Sequence, residues 1–124
     1  FPMFFIPFEK RPRRMLSGFP ASAGRIAGTA RLVNMFSSGD MAKEMSRIQK
    51  GDILVTAMTR PQFLLGIRRA AGIITDLGGN LCHAAIVARE FNIPAVVGTQ
   101  IATTTLRDGQ KIILDGNDGY IYED

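Results

Sequence analysis

Apolar and polar positions in this chain change their spacing several times, and each change predicts an element. Thr29 to Phe36 is strand-like in content with an imperfect alternation. Met41, Met45 and Ile48 then recur at helical spacing behind Asp40, a capping residue type. Lys50-Gly51-Asp52 ends that helix, and Ile53 to Met58 reads as a buried strand. Thr59 is a cap candidate for a second helix with Pro61 in its first turn, one face formed by Phe63, Leu64 and Ile67. Arg68 and Arg69 fall near its C-terminal end, where cations suit the helix dipole. Gly72 to Thr75 is a short buried strand, and Asp76 to Leu81 (DLGGNL) a glycine-bearing loop. Cys82-His83 opens a third helix running to Phe91, with Ala84, Val87, Ala88 and Phe91 toward a core. Ala95 to Gly98 is another buried strand. Thr103 to Leu106 leads to an Asp108-Gly109 turn, the strand Lys111 to Leu114, a turn over Asp115 to Gly119, and the strand Tyr120 to Tyr122. Asp-Gly turns favour hairpins.

Upstream the texture differs. Leu16 to Gly28, rich in Gly, Ala and Ser, predicts turns at Ser17-Gly18 and Ala23-Gly24. Residues 1–15, with Pro2, Pro7, Pro12 and clustered charge, read as a linker or leader before a domain spanning 16–124. The expectation is a mixed α/β domain: strands and short helices alternate in the middle, with a β-hairpin at each end.

Composition adds exclusions. The net charge of +4 is concentrated in the leader, where Lys10, Arg11, Arg13 and Arg14 oppose only Glu9. The remainder carries eleven basic and ten acidic residues, so it lacks the basic stripe that a nucleic-acid surface needs. The apolar opening run is too short to span a bilayer and precedes its basic cluster, the reverse of a signal peptide. Neither nucleic acid nor membrane is an expected partner. The single cysteine fits a reducing, cytoplasmic setting. The chain begins with Phe rather than Met, as a fragment or processed product would.

The richest candidate chemistry lies where strand, glycine loop and helix meet. Helix N-termini present unpaired N–H groups and partial positive charge, and so attract anions. Gly78 and Gly79 let the backbone approach a ligand closely. His83, the only histidine, stands at that junction, where a neutral imidazole could attack a phosphoryl group. Spacing alone equally describes a capping or surface histidine, the commoner case, and a double glycine is by itself an ordinary turn. Cys82 beside His83 is a weak nucleophile–base pair, because helix neighbours point about 100° apart. One Cys and one His lack the paired spacing of a zinc site, and no GxxxxGK[ST] loop is present.

The run Thr75-Asp76-Leu77-Gly78-Gly79-Asn80-Leu81-Cys82-His83-Ala84-Ala85-Ile86-Val87-Ala88-Arg89-Glu90, continued by Asn92-Ile93-Pro94-Ala95-Val96-Val97-Gly98, resembles the mobile-domain signature of phosphoenolpyruvate (PEP)-utilising enzymes. Gly51 to Val55, Arg107 to Gln110 and Asp115 to Gly119 resemble flanking parts of the same family, so the likeness runs from Leu16 to Tyr122. Asn80-Leu81 departs from it, standing where an Arg/Met-Thr pair is commoner. The resemblance implies a swivelling β/β/α fold with a mixed sheet and short helices. It implies a phosphohistidine at His83 on Nε2, with Cys82 at a Cys/Ser position beside it. Gly78 and Gly79 would form the phosphate-approach loop, with Thr75 and Arg89 near the phosphate. No metal or cofactor is implied in this domain. Mg²⁺ and ATP or PEP are implied on partner domains, an ATP-grasp-like nucleotide-binding domain and a PEP-binding or other acceptor domain, in the same chain or separate. The competing expectations are a stand-alone carrier with separately encoded partners and a non-catalytic, anion-binding interaction or regulatory module.

Overall fold

Ile53, Leu54 and Val55 show how the molecule is layered. All three are fully buried, yet alternate side chains of a strand point to opposite faces, so this strand must be covered on both. The protein, described from a computed structural model over residues 13–34 and 41–124, meets that demand with one eight-stranded mixed sheet flanked by short helices. The elements are β1 (Arg14–Ser17), β2 (Phe19–Ser22), β3 (Arg25–Leu32), α1 (Met41–Ser46), β4 (Asp52–Thr56) and α2 (Leu64–Ile67), the last preceded by a 3₁₀ turn over Pro61–Phe63. After them come β5 (Gly72–Thr75), α3 (His83–Glu90), β6 (Ala95–Val97), α4 (Ala102–Thr105), β7 (Lys111–Asp115) and β8 (Tyr120–Glu123). The expected leader through Pro12, the cap Asp40, and Met35 and Phe36 of the first expected strand lie outside the described residues.

Strand order is β1-β8-β7-β3-β4-β5-β6-β2, with β3 to β6 parallel and every other pairing antiparallel. One face of the parallel strands (Leu54, Ile73, Ala95, Val97) packs against Phe63, Ile67 and the alanine face of α3. The other (Ile53, Val55, Ile74, Val96) packs against Ile112, Leu114 and Ile121 of the antiparallel strands, with Ala102 and Leu106. The result is the expected β/β/α layering. It arises because β1 and β2, at opposite ends of the strand order, are separated in sequence by Gly18 alone, so the sheet curls round until its edges meet. The Gly18 N–H donates to Gly119 O at 2.8 Å, and a Cβ at Gly18 would stand 2.6 Å from Val97 O. Only glycine fits there.

The differences from expectation cluster at the chain's start and at α4. The hairpin expected at the N-terminal end does not form: β1 pairs with β8 and β2 with β6. β1 also begins at Arg14, inside the expected leader, and the Arg14 guanidinium lies 4.5 Å above the Tyr120 ring. Ala27 and Gly28 are poor strand formers, yet β3 runs through them because β7 pairs with them, opposite Ile113 and Ile112; β4 joins only from Thr29 onward. α4 forms from a threonine run of low helix propensity because the tertiary structure caps it. Thr99 Oγ1 accepts the Ala102 N–H at 3.2 Å and Asp76 Oδ1 the Thr103 N–H at 3.0 Å. Among the described residues, no helix is long and apolar enough to cross a membrane.

Candidate functional site

Parallel sheets place their ligand sites beyond the carboxyl ends of the strands, and here three such ends converge. β4 ends toward Met58 and Thr59, β5 runs into the 76–82 loop, and β6 ends at Gly98. The loop is anchored along its length. Leu77 N–H donates to Ala57 O (2.9 Å), and the Thr75 hydroxyl, fully buried, donates to Leu77 O (2.6 Å). The Asp76 carboxylate leaves the loop altogether: besides the Thr103 amide, it accepts the Thr103 hydroxyl, tying β5 to α4. Cys82 N–H closes a turn onto Gly79 O at 3.2 Å, and Cys82, in extended conformation, becomes the N-cap of α3.

The two glycines of the loop differ in their reasons. Gly78 has φ +116°, and an added Cβ would sit 2.7 Å from Cys82 Sγ, so glycine is needed for conformation and for space. Gly79 has no such φ, and a Cβ there would meet nothing within 4 Å. Gly98 (φ +67°) completes the close packing: its Cβ would fall 2.8 Å from Gly78 O.

His83 is the first residue of α3 and half-buried. Its Nδ1 lies 2.8 Å from Thr59 Oγ1, which leaves Nε2 as the ring nitrogen without a protein partner among the described residues. Thr59 is therefore no helix cap. Arg60 occupies the position before the 3₁₀ turn and caps it with no side-chain bond, whereas the buried Thr59 hydroxyl orients the imidazole. Cys82 gives no side-chain cap either, and no described residue accepts from the first three amides of α3. A cavity of about 260 Å³ opens here, lined by Met58, Thr59, Thr75, Leu77, Gly78, Cys82, His83 and Ala84. Imidazole, glycine loop and open helix terminus thus share one recess, with the Cys82 thiol beside them.

Arg89 is placed differently. It does not line the recess; its guanidinium binds Ala21 O (2.7 Å), Asn80 O (2.8 Å) and Asn80 Oδ1. Thr75 borders the recess, but its hydroxyl proton is committed to Leu77 O. Among the described residues, no three of His, Cys, Asp and Glu gather as a metal site. Asp76, Asn80 and Gly98 carry no functional role in the sequence analysis, and Thr59 only that of a helix cap. For three of them the signal was location: Asp76 and Gly98 directly follow β5 and β6, and Thr59 lies three residues beyond the end of β4.

Residues 48–119 match the family described as PEP-utilising enzyme, mobile domain. This chain belongs to that family. It is 46% identical over 115 residues to a probable phosphoenolpyruvate synthase of Archaeoglobus fulgidus, covering 93% of this chain and 14% of that protein. It is 41% identical over 110 residues to a rifampicin phosphotransferase of Streptomyces sviceus, covering 89% of this chain and 12% of that protein. Among solved structures it is similar to an Enzyme I protein (nEIt), with a TM-score of 0.55 and 30% identity over 62% of this chain and 32% of the other. The mobile domain thus corresponds to a small part of the longer proteins it resembles.

Proposed function

We propose that this mobile domain is a phosphohistidine carrier in which His83 Nε2 takes a phosphoryl group at one site and surrenders it at another. The observation that carries this reading is the pairing of a held Nδ1 with an unpartnered Nε2, beside an open helix terminus. With the ring proton on Nδ1, donated to Thr59 Oγ1, the Nε2 lone pair is free to attack phosphorus. The N–P bond forms as the donor's P–O bond breaks, and the leaving oxygen keeps that electron pair. The ring is then a phosphoimidazolium whose charge is shared with Thr59 through Nδ1–H; loss of that proton to solvent gives the neutral phosphoimidazole. Transfer onward reverses these steps.

The α3 amides and the Gly78-Gly79 backbone would face the phosphoryl oxygens throughout, stabilising charge without reorganising. Cys82 supports the turn by packing its sulfur against Gly78. Mg²⁺ and ATP or PEP would be held on partner domains: a nucleotide-binding domain as donor, and a PEP-binding, pyruvate or other acceptor domain. The similarity to phosphoenolpyruvate synthases and rifampicin phosphotransferases supports that division.

Incubation with a phosphoenolpyruvate synthase nucleotide domain and Mg-ATP should label the chain with an acid-labile, alkali-stable phosphate, and His83→Ala should abolish the label. Label persisting on His83→Ala would remove His83 from the role. Phosphate bound but never captured covalently would leave an anion-binding module instead.

A further inference from the structure

Asn80 and Arg89 lie nine residues apart and neither is hydrogen-bonded to the imidazole, yet they bond to each other at the turn before His83. Six positions along an α-helix separate His83 from Arg89 by about 9 Å and about 120° of rotation. Arg89 is therefore poorly placed to share the recess. Long side chains on a helix lean toward its N-terminus, so a last-turn arginine reaches back over α3 to the loop that precedes it. Its Nε donates to Ala21 O of β2 at 2.7 Å, one terminal nitrogen to Asn80 O at 2.8 Å, and the other to Asn80 Oδ1. All three acceptors are neutral oxygens, and none of the ion pairs among the described residues involves Arg89.

Asn80 is the second residue of the turn closed by Cys82 N–H onto Gly79 O, and Cys82 caps α3. Fixing Asn80 fixes that turn, and with it the direction of the helix amides and of the His83 ring. The opposite flank of the loop is held by Asp76 on Thr103. The planar five-donor fork of arginine suits this three-point grip; an ammonium cannot reproduce it.

We propose that Arg89 and Asn80 are a positioning pair, a splint between β2, the loop and α3 that sets the His83 terminus before a phosphoryl group arrives. Neither is a ligand of that group. The proposal rests on the carrier reading of His83, and its test separates the two. The full chain is treated with phosphoramidate, whose P–N bond breaks as Nε2–P forms and whose already protonated nitrogen leaves as ammonia. Capture is followed by ³¹P NMR, inorganic phosphate affinity by titration, and loop order by amide hydrogen exchange.

Asn80→Leu, which keeps shape but removes the acceptor, should slow the saturating capture rate on the order of 10-fold, the scale at which misplacement is felt. Exchange at residues 77–82 should rise, while phosphate affinity changes less than about two-fold, since no ligand is lost. Asn80→Asp, which restores an acceptor, should recover the rate. Arg89→Lys should resemble Asn80→Leu, and the double variant should be no worse than either single one, as expected of two residues acting as a unit. The splint is overturned if Arg89→Lys weakens phosphate while Asn80→Leu does not slow capture, or if the two effects add. Absence of capture by the unaltered chain would count against the carrier reading instead, and the exchange pattern would still decide the splint.

Discussion

The 76–82 loop and the 115–119 turn are built from the same residue types, each beginning with aspartate and containing glycine and asparagine, and they end up chemically opposite. In the 115–119 turn, Asp115 Oδ1 accepts the turn's own amides at Asn117 (2.9 Å) and Asp118 (3.3 Å), and Oδ2 pairs with Arg25 at 3.1 Å. Asn117 Oδ1 accepts the Gly24 N–H. Aspartate there is spent on closing the turn. In the 76–82 loop the Asp76 oxygens reach to α4 and Arg89 holds the other flank, so the loop is fixed from outside. The amides at its far end, the first three of α3, have no acceptor among the described residues. Asp115 thus closes its own turn, whereas Asp76 ties its loop to a neighbouring helix.

That contrast can be broken most directly at His83. His83→Ala should remove all covalent phosphate from the chain, whereas Asp115→Ala should leave capture per folded molecule unchanged, as read by ³¹P NMR on both. The glycines sharpen it further. Gly78→Ala forces a side chain into φ +116° against Cys82, and should cost about 1–3 kcal/mol of stability together with most of the capture rate. Gly116→Ala would push a Cβ into Ser22 O and should cost stability on a similar scale, about 1–3 kcal/mol by denaturant titration, with capture intact. Equal loss of capture in both would dissolve the distinction.

A smaller effect is expected at Thr59. Thr59→Val removes the Nδ1 partner, worth about 1 kcal/mol, and should slow capture about 5-fold and shift the ring's ¹⁵N tautomer signature. Thr59→Ser should restore both. The smallest belongs to the surface network in which Arg47 meets Glu44 and Asp108. Glu44→Gln should change stability by less than about 1 kcal/mol and capture not at all.

Much of this could be read in the sequence because local chemistry and burial agreed there. The apolar runs of β4, β5 and β6 and the helical spacing of α3 specify buried strands and one helix, and the Asp-Gly turns specify the closing hairpin. Gly78-Gly79 before His83 marked the junction of loop and helix, and the resemblance supplied its chemistry. The misreadings share one cause. β1 and β2 are short, and Pro20 and Gly18 disguise them as turns; their strand character comes from partners near the other end of the chain, β8 and β6. The same holds for the α4 threonines, which are helical through Thr99 and Asp76.

The sequence by itself determined which strands are buried, where α3 starts, and that the one imidazole stands at its head, because each of these follows from neighbours within a few residues. Only the tertiary structure decided which of that imidazole's nitrogens is held, what Arg89 grips, and how the sheet closes on itself at Gly18. Those outcomes depend on groups brought together from 24 residues away for Thr59 and His83, and 68 for Ala21 and Arg89. No local propensity encodes such meetings; they exist once the layers have packed.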